Sequence, residues 1–151
     1  MGGDGLDGGT DNARGDMSER SVHDNNLYAY AILCEQQRIV LHTGYRGRGG
    51  DEYTDVTFIG VAAHYFEDVL QGNILFGIDE VEPEKIVNEW ADLFARRKKW
   101  GWPALEYSDP EDLVSLLKKR GVRGYEIGSS YGLSGWVLAT AIDISARAAK
   151  L

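Results

Sequence analysis

The sequence predicts an α+β domain: a mostly antiparallel sheet of about six strands, with two helices packed on one face, in the order β-β-β-β-α-α-β-β. Three observations carry that expectation. Residues 53–66 and 73–81 form two long apolar runs rich in β-branched and aromatic side chains, as strands require. An amphipathic, proline-opened stretch follows them at Pro83. The strand-like runs also succeed one another through short connections, which favours hairpins over crossover units.

Order is expected from Leu27 onward. Residues 28–34 and 38–43 are strand-like, and Glu35-Gln36-Gln37 between them reads as a polar turn, so the pair is a hairpin. Residues 44–51, Gly-Tyr-Arg-Gly-Arg-Gly-Gly-Asp, read as a flexible loop. The third strand starts near Tyr53, and Gly60 inside it predicts a bulge or bend. A turn over residues 67–72 leads to the fourth strand, residues 73–81.

Glu82, Pro83 and Glu84 open the first helix, which carries Ile86, Val87, Trp90, Leu93 and Phe94 on one stripe. Arg96 to Lys99 place cations at its C-terminal end, and Trp100-Gly101-Trp102-Pro103 breaks it. Asp109-Pro110-Glu111-Asp112 is a start signal for the second helix; Leu113, Leu116 and Leu117 are its buried stripe, and Gly121 ends it. Residues 122–127 then predict a strand, 128–135 a loop, and 136–144 a strand with Trp136, Leu138, Thr140, Ile142 and Ile144 on one face. Alanine frequency makes a helix the alternative over residues 139–149.

Residues 1–26 hold six glycines and six acids against Arg14 and Arg20, a net of −4 within a total of −8. They predict a disordered acidic tail, with residues 27–151 as a single domain. The tripeptide Arg14-Gly15-Asp16 within the tail matches an integrin-binding motif of low specificity. Apolar residues at 43% belong to a globular chain, and no run approaches the length of a membrane helix. One cysteine, Cys34, excludes an internal disulfide; an inert or buried thiol is expected there. A cytoplasmic location follows by default. Bulk negative charge argues against nucleic acid and anionic membranes as partners, and suits another protein with a basic surface.

No convergent catalytic set is legible. Gly128-Ser129-Ser130-Tyr131-Gly132 fits G-x-S-x-G, but no histidine follows His64, and a nucleophile elbow needs a later acid and histidine. His23, His42 and His64 have no metal-ligand spacing, so no metal or cofactor is expected. Arg46-Gly47-Arg48 and the Arg96–Lys99 cluster beside Trp100 and Trp102 resemble nucleic-acid-binding composition but are short.

Three functional expectations result. The first is a non-enzymatic acidic protein-binding domain that engages its partner through Asp79, Glu80, Glu82, Glu84, Glu111 and Asp112. Small immunity proteins that neutralise toxin enzymes, and other inhibitor-like or regulatory proteins, have this general character, a comparison no motif carries. The second is a hydrolase-like enzyme using His64 and Glu67 in a cleft beside the sheet. The third is a small-molecule binder with a pocket lined by Tyr65, Trp90, Trp102 and Trp136.

Overall fold

The computed structural model describes residues 21–151. Eight strands form one antiparallel sheet, against the six expected: β1 (Asn26–Leu33), β2 (Arg38–Gly47), β3 (Gly50–Ile59), β4 (Ala63–Glu67), β5 (Ile74–Val81), β6 (Arg123–Tyr131), β7 (Ser134–Ala139) and β8 (Ala141–Arg147). Three helices lie between β5 and β6: α1 (Pro83–Glu89), α2 (Ala91–Lys98) and α3 (Pro110–Lys119).

Bends account for the extra strands. The expected third strand is cut at Gly60, whose φ is 67°, into β3 and β4; the last is cut at Thr140 into β7 and β8. The two bends lie side by side, and the Thr140 backbone N–H and hydroxyl both donate to the Ile59 carbonyl at 2.9 Å.

The sheet order is β4-β7-β6-β5-β1-β2-β3-β8. Because β3 runs on into β4 and β8 continues β7, the two ends of that order meet, and the sheet closes on itself as a barrel. Its interior is filled by Leu27, Ile39, Leu41, Val56, Phe58, Leu75, Tyr125, Ile127 and Val137, all nearly inaccessible to solvent. A second core lies outside the barrel wall, where Trp136 and Leu138 of β7 and Ala63 of β4 meet Ile86, Val87, Leu93, Phe94, Leu113 and Leu117 of the helices. Strand β7 serves both cores because alternate side chains point to opposite faces. The expected common face of Trp136, Leu138, Thr140, Ile142 and Ile144 is therefore divided at Thr140. Trp136 and Leu138 pack outward on the helices, while Ile144 packs into the barrel.

Other expectations are corrected locally. Residues 44–51 are not a loop: β2 and β3 pair until Gly47↔Gly50, leaving Arg48-Gly49 as a two-residue turn. Residues 128–135 are strand except at the Gly132-Leu133 turn. Residues 141–147 are strand, which agrees with the strand expected to Ile144 and leaves the helix alternative over residues 139–149 unformed. The Pro83 helix is two helices, broken at Trp90 (φ −111°, ψ 28°), whose ring turns in against Tyr65. Order also reaches upstream of Leu27, since Val22 is buried in the barrel core and the Asp24 N–H donates to the Leu75 carbonyl. The tail expectation for residues 1–20, including Arg14-Gly15-Asp16, lies outside the described residues.

The buried Asn73 side chain knits the barrel end: its Oδ1 accepts from the Leu70 and Leu133 N–H groups, and its Nδ2 donates to the Leu27 and Leu70 carbonyls. Among the described residues no helix is long and apolar enough to cross a membrane.

Candidate functional site

Register across the β2–β3 hairpin sets the first cluster. His42 pairs with Asp55, and Asp55 pairs onward with Ser145 of β8. His42 alternates with the inward-facing Leu41 and Thr43, so it points out of the barrel. Its Nδ1 lies 2.9 Å from Asp55 Oδ1, and Asp55 Oδ2 accepts from Arg147 Nη1 at 3.1 Å. Tyr28 and Tyr53 stand beside them edge to face at 6.2 Å, and the Lys150 ammonium lies 5.0 Å over the Tyr28 ring. A nearly buried carboxylate held by a guanidinium orients the imidazole and leaves His42 Nε2 without a protein partner among the described residues. The row ties three strands together. Neither Asp55 nor Arg147 stands out in the sequence, yet a two-residue turn at Arg48-Gly49 would have put Asp55 opposite His42.

The structure does not bring His64 and Glu67 together. They are three residues apart on β4, whose pairing with β7 is regular from Ala63↔Leu138 to Glu67↔Ser134, so their side chains leave opposite faces of the sheet. His64 shares the barrel-side face with Phe66, 5.1 Å away, and burial lowers its pKa. It does not meet His42, whose strand neighbours are Ala29 and Asp55. Among the described residues no three His, Cys, Asp or Glu side chains are grouped to hold a metal ion. Ser130 is on β6, and the chain returns from it as a strand rather than a helix, which removes the nucleophile-elbow geometry. Cys34 is exposed in the β1–β2 turn rather than buried.

The four aromatic residues named from the sequence do assemble. Tyr65 and Trp90 are 4.9 Å apart between ring centroids, and Trp136 lies 6.4, 6.1 and 6.2 Å from Tyr65, Trp90 and Trp102. Phe94 stacks on Trp136 at 5.6 Å and completes the set. The rings pack on one another around Trp136, which is 1% exposed, so they form the core between helices and barrel. Arg97 covers the outer side, 5.6 Å over Tyr65 and 5.2 Å over Trp102, a Trp-Tyr-Arg composition typical of binding hot spots.

The chain matches no protein-family model, no curated protein and no solved structure.

The acidic residues fall into two groups, because Asp79 and Glu80 are neighbours on β5 and leave opposite faces of the sheet. Glu80 and Glu82 grip Arg123 at 2.7 and 3.2 Å, and Lys85 bridges Glu126 and Glu89 at 2.8 and 2.9 Å. Glu84 reaches Lys118 at 3.8 Å and shares an open groove with Glu111 between α1 and α3. Asp79 pairs in register with Glu126 on the outer face of β5. Asp112 is diverted: its carboxylate accepts from the Ser108 N–H at 2.8 Å while its own N–H donates to Asp109, capping α3. The bond to Glu80 is the chief cause that raises the pKa of Arg123, and the bond to Glu126 the chief cause that raises that of Lys85.

Proposed function

We propose that this chain is a protein-binding domain, acting by association rather than turnover, whose partner lays a basic surface on the strip Glu80–Glu82–Glu84–Glu111, with Asp79 on the other face of β5 outside it. The observation supporting the reading is the layout of that strip. Its acids, with Glu89, outnumber the interspersed Lys85, Lys118 and Arg123 five to three. Ion pairs hold all of these carboxylates except Glu111 in place, so a cationic partner meets a largely pre-ordered field. Asp112 belongs to the helix cap rather than to the contact. Inhibitors, immunity proteins and regulators work in this manner.

The test reverses charge on the strip. A Glu82→Lys/Glu84→Lys/Glu111→Lys variant, checked for unchanged circular dichroism, is compared with wild type for capture of partners from native lysate at low and raised salt. Wild type retains a basic protein whose binding weakens as salt screens the strip, and the variant loses it by at least ~tenfold in affinity. Equal retention by the variant, with no response to salt, overturns the reading.

A further inference from the structure

The barrel closes between β1 and β5 through a single strand pair. β1 pairs with β2 along its length, but with β5 only at Asn26↔Ile74. Beside that pair the Leu27 N–H donates to the Asn73 carbonyl, and there the seam ends. A bulge between Leu27 and Ala29 follows at once, and a bulge bends its strand and terminates pairing. From Ala29 to Leu33, β1 has no strand on its second side among the described residues. Main-chain groups alternate between the two sides of a strand, so every second residue there turns its N–H and C=O toward no other backbone.

The side chains show the same opening. Tyr30 and Ile32 face the barrel interior opposite Leu41 and Ile39, which solvent does not reach, yet they are 37% and 40% exposed. Leu33, on the other face, is exposed as well. Leu70, exposed in the turn before β5, stands at the head of this edge: its carbonyl and that of Leu27 both accept from the Asn73 amide.

Exposed edges are ordinarily guarded by lysine, proline or a covering segment. From Asn25 to Cys34 the chain has no lysine, no proline and no charge of either sign. Such an edge takes an extended, apolar, uncharged strand, and β1 is itself one. Paired antiparallel with its own copy about Ala31, Tyr30 of one meets Ile32 of the other, and Ala29 meets Leu33. An aromatic side chain opposite a β-branched one is a favourable cross-strand pair. No like charges come face to face along this strand, although each chain carries −8 overall.

We propose that this edge is the interface of a homodimer, in which β1 pairs antiparallel with β1 of a second copy across a two-fold axis at Ala31 and the two barrels share one sheet. The interface uses no residue of the acidic strip and stands or falls separately from it.

The experiment is analytical ultracentrifugation of the full chain from ~1 to ~100 µM. Wild type passes from monomer to dimer as concentration rises. Ile32→Lys, which sets a cation on the open edge, raises the dissociation constant at least ~tenfold with circular dichroism unchanged. Trp100→Lys, at an exposed ring after α2, leaves it as in wild type. In a Cys34→Ser background, Ala31→Cys gives a disulfide-linked dimer on mild oxidation, because the two copies of that residue face each other on the axis. A wild type that stays monomeric at ~100 µM overturns the proposal and leaves the edge to a strand of another protein. A dimer that Ile32→Lys weakens no more than Trp100→Lys does, or one that Ala31→Cys fails to link, overturns it equally.

Discussion

His64 sits on the barrel side of β4 opposite the fully buried Val137, and desolvation lowers its pKa from 6.5. The folded protein therefore holds this imidazole neutral at a pH where the unfolded chain binds a proton. A folded pKa below the unfolded one costs nothing above 6.5; stability falls as pH drops below 6.5 toward the folded pKa, and levels off beneath it. The expectation is a melting temperature that declines between neutral and mildly acidic pH, with the decline reduced in His64→Phe. A His64→Phe profile parallel to wild type through that window would mean that another group titrates. The same comparison explains why His64 was a poor candidate base: its strand places Glu67 on the far face, and what it meets is Phe66.

Among the elements, bends and turns decide what the sequence can reveal. Hairpin β1–β2, strand β5, the Pro83 start and the Asp109 cap are all readable, because apolar periodicity and capping chemistry act within a few residues. The Arg48-Gly49 turn was not, since glycine-rich composition describes flexible loops and tight turns alike, and with it went the His42–Asp55 register. Gly60 was legible as a bend but not as a lock. A Cβ there would overlap the Thr140 hydroxyl, eighty residues away in sequence, a contact no local signal carries. Gly60→Ala should thus cost about 2–4 kcal/mol, the left-handed conformation adding to the overlap. Gly49→Ala, with nothing near its added methyl, should stay within ~0.5 kcal/mol. Urea unfolding of the two variants decides it; equal midpoints would show that the bend is not a constraint.

At the scale of the whole molecule, the two cores meet in one strand. Val137 and Ala139 fill the barrel from β7, while Trp136 and Leu138 hold the helical layer against its outside. The aromatic set was found in the sequence because tryptophans near helix breaks and strand starts are conspicuous, but their composition alone did not separate a pocket from a core. The packing does, since Trp136 touches Tyr65, Trp90, Phe94 and Trp102 at once. Trp136→Leu removes the ring common to those contacts and leaves the barrel lining untouched, since Trp136 points away from it. Large-to-small changes at such sites cost about 2–5 kcal/mol, and here the loss should be local. Hydrogen exchange should show α1, α2 and α3 losing protection together, while β2 and β3, paired along ten positions, keep theirs. Uniform loss of protection across the chain would instead make barrel and helices a single cooperative unit. In that case the acidic strip, which spans β5, α1 and α3 across the boundary between them, would be rigid as a whole. If exchange is local, the helical half of the strip can move against the barrel half, and a partner bridging both halves would add its own stabilisation to that junction.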